Sequence, residues 1–426
     1  MKVRSRMRNS RAGKSFKLLS VAMTMAVIAT ACGSDKSTPT TAAAAATETT
    51  TAPDGTVAAP SGDPIIIGHT SGLTGFMSVF DVSVEQGMNL AIADINKAGG
   101  VLGRPLELVS SNNETDFAKI QTSALEVIEK GAQFIVPSCD FDVGSPAAHV
   151  ANDKNIIAIG CAGGPLFGFT GIGALTYNTY HSSPVEGSMM AEFANDKGWK
   201  KPFVLTDQTL AYSQSVGDTF TARWKELGGT IAGEDIFNSD STSIASQISA
   251  IKASGADSIM VASLPPEGPA ALLQIRAAGI DLPMMGAQAF DGTYWVESIP
   301  DISNFFIPAT ASIYGDDPVA ARNAFFARIK TETGTAAANS NYPLSGYSSV
   351  EALARAIERA GSTDTAKVAA ELDKFTNENL LIGPTTYTSS CHIPTGRPLL
   401  IIEYVKGVPG VVEQRSVKAV AGGTPC

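Results

Sequence analysis

The sequence predicts an α/β protein of two doubly wound parallel-sheet lobes joined by a multi-strand hinge. Three observations carry that expectation. Residues 64–109 read as strand, helix and strand, and a crossover of that length implies a parallel pair. The same alternation starts again near residue 181 and runs to about residue 307. Helical stretches with few strands to pair with then follow, so the chain is expected to return to the first lobe.

Ile65-Ile66-Ile67-Gly68 is an apolar run of the kind buried on both faces of a sheet. In the next helix Val84, Met88, Ala91, Ile92 and Ile95 form one stripe at the 3.6-residue period. Ser83 and Gln86 have capping-box spacing and are expected to start that helix. Lys97 and Gly99-Gly100 are expected to end it. Such sheets bind ligands outside the carboxyl ends of their strands, so the loop over 69–81 is the first expected site wall.

Further on, Phe117, Ile120, Ala124, Val127 and Ile128 predict a helix over 117–130. A strand over 133–137 leads into Ser138-Cys139-Asp140-Phe141-Asp142. Ser145 is expected to cap the next helix, with Pro146 at its first position. A strand over 156–160 enters the small-residue loop Cys161-Ala162-Gly163-Gly164, and a short strand near 175–178 follows. Ser183-Pro184-Val185-Glu186 reads as a capping box opening the second lobe. Strands over 202–206, 230–237, 258–262, 283–286 and 305–311 alternate there with helices. Helices over 318–333, 345–360 and 364–375 precede a β-rich run at 399–413. The expected divisions are 64–180 for lobe 1, 181–307 for lobe 2, 308–398 returning to lobe 1, and 399–426 as a final segment with lobe 2.

The N-terminus reads as an address. Lys2, Arg4, Arg6, Arg8, Arg11, Lys14 and Lys17 precede an apolar run over 18–28 that is too short to span a membrane comfortably. The Ala29-Thr30-Ala31-Cys32-Gly33-Ser34 that follows resembles a bacterial lipoprotein signal, with Cys32 as the lipidated residue after removal of 1–31. Residues 32–63, rich in Ser, Thr, Ala and Pro, read as a tether. The protein is expected to be exported and lipid-anchored, facing a periplasm or the cell exterior. Residues 1–31 hold seven basic and no acidic residues, so the remainder carries 24 Lys and Arg against 41 Asp and Glu, a net charge of −17. That balance disfavours nucleic acid as a partner.

Four further cysteines would meet an oxidising compartment, and three pairings are possible. Cys139 and Cys161 each follow a strand expected to neighbour the other, which places them within disulfide reach. Cys391 and Cys426 would then fasten the C-terminal tail. No C-x-x-C or H-x-x-x-H spacing supports a metal site, and no cofactor is expected.

Several strings resemble the solute-binding proteins of branched-chain amino-acid ABC transporters, which have the periplasmic-binding-protein type I fold. They are GMNLAIADINKAGGVLGR from Gly87 to Arg104, Pro266-Glu267 with LQIRAAGI from Leu273, and VEALARAIERAGS from Val350, which precedes the Leu380–Pro384 segment. The likeness runs from about Ile65 to Val412. It implies a monomeric receptor that captures a small polar solute (amino acid, amide or amine) and delivers it to an ABC permease. It also implies a site at two carboxylate-gripping loops, here Cys139, Asp140 and Phe141 with Ala162 and Gly164. Phe80 and Tyr212 fall where the family often places aromatics, and Leu264 where a further one can stand. Gln288, with Asp291 nearby, falls where an acid often pairs with the ligand's ammonium. Asp140 stands where a carboxylate-binding Ser would be expected and would repel a carboxylate unless protonated or bridged. A neutral amide or a cationic amine therefore stays open.

A sensory receptor on the same fold is the alternative reading. A hydrolase has little support: the four histidines are scattered, G-x-S-x-G and H-E-x-x-H are absent, and a Ser–His pair would rest on His69, which lies in the first loop near Ser71.

Overall fold

The computed structural model describes residues 58–164, 166–168, 171–334, 339–394 and 396–423. The first sheet contains β1 (Ile65–Ser71), β2 (Leu106–Asn112), β3 (Phe134–Pro137), β4 (Ile157–Gly160) and β5 (Thr176–Asn178), in the order β2-β1-β3-β4-β5. All of its pairs are parallel, with Ile67 opposite both Leu108 and Phe134. Helices α1 (Ser78–Lys97), α2 (Ile120–Glu129) and α3 (Phe141–Asp153) make the crossovers. Ile65, Ile67, Phe134, Val136, Ile157 and Ile159 are fully buried, which is why these strands read as apolar runs and not as alternations.

The second sheet holds β6 (Pro202–Asp207), β7 (Gly233–Phe237), β8 (Ser258–Ala262), β9 (Met284–Gly286), β10 (Phe305–Ala309), β13 (Leu399–Val405) and β14 (Val408–Arg415). Its order is β14-β13-β10-β9-β8-β6-β7. β6 to β10 are parallel, whereas β13 and β14 form an antiparallel hairpin on the edge. Helices α4 (Ser183–Asp196), α5 (Ala211–Glu226), α6 (Ala245–Ser254) and α7 (Glu267–Ala277) accompany it.

The intervening α8 (Ala320–Thr333), α9 (Tyr342–Ala360) and α10 (Thr365–Leu372), with the small β11 (Glu378–Leu380) and β12 (Gly383–Thr385) ladder, lie on the first-sheet side. α9 packs along α1 at reciprocal glycines. A Cβ on Gly87 would lie 1.8 Å from the Pro343 carbonyl oxygen, and one on Gly346 would lie 2.0 Å from the Val84 carbonyl oxygen. Only bare backbone permits that approach.

The chain therefore crosses between the sheets three times, at 179–182, 310–319 and 386–398. Two buried arginines tie these crossings together. Arg397, on the third, donates through Nη1 to the Thr179 carbonyl at 2.7 Å and through Nη2 to Thr385 Oγ1 at 2.7 Å. Arg322 donates to the Thr310 carbonyl at 3.3 Å and the Ile382 carbonyl at 2.8 Å. Burial, with the Arg322 charge nearby, pulls Arg397 down to about 10.

Several helix starts differ from the sequence expectation. α1 begins at Ser78, five residues before Ser83, whose hydroxyl instead bonds back to the Val79 carbonyl. α3 begins at Phe141 under an Asp140 cap, which leaves Ser145 and Pro146 inside the helix. α2 starts at Ile120, and Phe117, expected on its apolar face, is exposed. α4 begins at Ser183 with no side-chain cap: the Ser183 hydroxyl donates to Ser215 Oγ at 2.9 Å, and the Glu186 carboxylate accepts from Tyr212 and the Gln288 N–H.

Candidate functional site

Between the carboxyl ends of the two sets of parallel strands lies a cavity of about 20 Å³, room for about one water. The lobes are closed on it. Phe80, Cys139, Asp140, Cys161, Gly163, Tyr180 and Tyr342 line it from the first-sheet side or its margin; Glu186, Tyr212, Leu264, Gln288 and Ala289 line it from the second, with Met77 and His181.

On the first-sheet side the walls are held by Asp81, which is wholly buried. Its Oδ2 accepts the Gly72 N–H at 2.8 Å and the Ser138 hydroxyl at 2.7 Å, and its Oδ1 accepts the Cys139 N–H at 2.9 Å. One carboxylate thus fixes the loop after β1 to the loop after β3. Burial raises its pKa against those bonds and the nearby His69. Cys139 is bridged to Cys161 with Cα atoms 4.8 Å apart, joining the loops after β3 and β4. Cys391 is also disulfide-bonded; its expected partner Cys426 lies outside the described residues, as does Cys32.

Asp140 caps α3: its Oδ1 accepts the Asp142 N–H at 2.8 Å and the Val143 N–H at 3.1 Å. Its Oδ2 makes no hydrogen bond among the described residues. Burial, with the Asp142 and Asp81 charges adding to it, pushes the Asp140 carboxyl up to about 7, against the two backbone bonds.

On the second-sheet side the centre is Glu186, 3% exposed in the first turn of α4. Its Oε2 accepts the Tyr212 hydroxyl at 2.7 Å and the Gln288 N–H at 2.8 Å, and its Oε1 stands 3.2 Å from His181 Nε2. The Tyr212 oxygen accepts the Ala289 N–H at 3.3 Å. The aromatic rings form a connected group, with Tyr342 edge-on to Phe80 at 5.1 Å and tilted on Tyr180 at 5.4 Å between centroids. Gly163 lets Tyr212 come close from across the cleft, since a Cβ there would lie 3.0 Å from the ring.

Of the residues expected from sequence, Phe80, Cys139, Asp140, Tyr212, Leu264 and Gln288 meet at this cavity. Phe80 and Tyr212 do so from first helical turns, not from loops. Phe141, Ala162, Gly164 and Asp291 stand off it. The Phe141 ring packs on Gly164, and Ala162 is buried in the small cluster behind β3 and β4. Asp291 accepts both N–H groups of Asn341 at 2.8 Å and the Tyr314 hydroxyl at 3.0 Å. The Gln288 side chain, expected to meet a ligand ammonium, accepts the Thr310 N–H and hydroxyl, each at 2.8 Å. Sequence reasoning missed Glu186, Tyr180, His181 and Tyr342. His69, beside Ser71 and Glu85, is fully buried in the first-sheet core, out of reach of any substrate.

The sequence profile described as periplasmic binding protein matches residues 64–407. The chain belongs to the periplasmic binding protein family. It is a binding protein and not an enzyme. Among curated relatives it is similar to the leucine-, isoleucine-, valine-, threonine- and alanine-binding protein of Pseudomonas aeruginosa, 25% identical over 319 residues. That alignment covers 74% of this chain and 84% of the relative. Among solved structures it resembles a branched-chain amino acid transporter substrate-binding protein of Streptococcus pneumoniae in complex with isoleucine. The TM-score is 0.73 at 20% identity, over 82% of this chain and 99% of that one. A solute-binding protein of Rhodopseudomonas palustris in complex with benzoate matches with a TM-score of 0.74 at 14% identity, over 85% and 99%. These likenesses show the fold of this binding protein as a two-lobed α/β structure of that kind.

Proposed function

We propose that this binding protein is the extracytoplasmic receptor of an ABC importer. It captures a small solute bearing an amino or amide group between its lobes and delivers it to a membrane permease, acting as a monomer tethered through a lipid on Cys32. The observation that carries the reading is the cavity itself. It lies where the strands of both sheets end, carries polar groups from each lobe, and is spanned by three crossings that act as a hinge. A solute touching both walls favours the closed form by its differential affinity for it. The curated relatives that bind branched-chain amino acids support the importer assignment. The signal at 29–34 supports the anchor.

Calorimetry of the purified protein against branched-chain amino acids, their amides and matched amines tests the reading, with mass analysis of any copurifying solute. Saturable binding accompanied by compaction in small-angle scattering is expected. Absence of binding by every class, and of any copurified solute, would remove the receptor assignment. Metabolic labelling with a radioactive fatty acid, lost in Cys32→Ser, tests the anchor.

A further inference from the structure

We propose that the solute is an organic cation, its ammonium held between Asp140 and Glu186 inside a ring of Phe80, Tyr180, Tyr212 and Tyr342. This rests on the cavity being the solute site and goes on to fix the charge of what enters it.

The cavity carries one carboxylate from each lobe and, among the described residues, no Lys or Arg in its lining. Asp140 is nineteen-twentieths buried, with an unpartnered oxygen in a residue that lines the cavity. Glu186 is held from behind by Tyr212 and the Gln288 N–H, so its position does not depend on a ligand. All four aromatic residues line the cavity, and an aromatic ring attracts an ammonium set over its face, more strongly once water is excluded.

The same geometry turns a carboxylate away. A helix N-terminus is the ready anion site of such a loop, and at α3 the Asp142 and Val143 amides already serve Asp140 itself. The Cys139 amide serves Asp81. The Tyr212 hydroxyl is committed to Glu186 and the Tyr180 hydroxyl to Asn341. His181 faces Glu186 through Nε2 and the Thr310 hydroxyl through Nδ1. A zwitterionic amino acid would therefore bring its anionic end to a wall that carries two carboxylates and, among the described residues, no Lys or Arg, with the Tyr342 hydroxyl and the Gly163 N–H as its open donors.

The test is calorimetry at pH 7.5 on the full-length protein with shape-matched probes. These are 3-methylbutylamine, phenethylamine and tetramethylammonium as cations, 3-methylbutanol and 2-phenylethanol as neutral partners, and leucine and isoleucine as zwitterions. Cations are expected to bind at least tenfold tighter than their neutral partners, with proton release visible as a dependence of the heat on buffer ionisation. Burial, with the charges of Asp142 and Asp81 beside it, favours a proton on Asp140, so a cation arriving there displaces the fraction of that proton still bound at this pH. Asp140→Asn and Glu186→Gln should each weaken cations at least tenfold. If either variant fails to fold, Tyr342→Leu should weaken cations more than Tyr342→Phe does while leaving the alcohols little changed. Tight leucine or isoleucine binding with no cation binding would overturn the charge assignment and leave the receptor reading standing. Binding by no class would overturn both.

Discussion

Asp142, in the first turn of α3, accepts the backbone N–H of Ala211 at 2.8 Å from across the cleft, at the start of α5. The bond joins a helix beside the first sheet to a helix beside the second. An anion at a helix N-terminus also favours the local dipole. Asp142→Ala should weaken solute binding about fivefold, from the loss of about 1 kcal/mol typical of a cap-like bond. The substitution removes one hydrogen bond and no core side chain, so the melting temperature should move little. An unchanged dissociation constant would show that this bond does not bias closure.

The glycine crossing of α1 and α9 is the second point of control, because it sets Tyr342 against Phe80. Gly346→Ala forces a methyl group against the Val84 carbonyl oxygen, an overpacking that costs about 1–3 kcal/mol in well-packed interiors. Gly87→Ala does the same against Pro343. Gly410→Ala, whose nearest heavy atom would lie 3.7 Å away, is the control and should be close to neutral. Thermal denaturation separates them, and equal losses at all three positions would contradict the close approach.

These two contacts show which parts of the fold and site were legible. Apolar runs ending in small or acidic residues announced β1, β3 and β4, and so put Cys139, Asp140 and Phe80 near one wall. The bridge from Cys139 to Cys161 followed from neighbouring strands. Glu186 was not legible, because Ser-Pro-Val-Glu has the spacing of a capping box. Its carboxylate instead bonds groups 26 and 102 positions away along the chain. Tyr342 and Tyr180 were hidden for a related reason. They reach the cavity through the return of α9 to α1 and through a hinge crossing, and no local pattern encodes either.

Asp291 makes a prediction about acidity. It is completely buried between Tyr314 and Asn341, with Tyr404 and Tyr294 close by, and burial pushes its carboxyl up to about 7. The unfolded chain ionises this group near its ordinary value of 3.8, while the folded chain keeps the proton. The folded state therefore binds more protons between those values, and stability falls as pH rises through that window. From pH 8 to pH 5 this group should add roughly 2 kcal/mol to unfolding free energy. Asp140 acts in the same direction. Chemical denaturation across pH 5–8 should show a clearly smaller rise towards acid in Asp291→Asn than in the parent. Parallel curves for the two proteins would place the Asp291 proton elsewhere.

The Cys139–Cys161 bridge lines the cavity, so its effect is expected on recognition as well as on stability. The two cysteines are 22 residues apart, and closing a loop of that size restrains the unfolded chain by about 3 kcal/mol in the entropic account. In the folded protein the bridge joins the loop that carries Asp140 to the loop whose Gly163 admits Tyr212. Without it those loops are held by Asp81 on one side, by the Asn178 amide on the Ala162 carbonyl on the other, and by the Phe141 ring packed on Gly164 between them. The double variant Cys139→Ser, Cys161→Ser should melt lower and also bind solute several-fold more weakly at a temperature where it is fully folded. The second effect discriminates: a bridge that served stability alone would lower the melting temperature and leave the dissociation constant where it was.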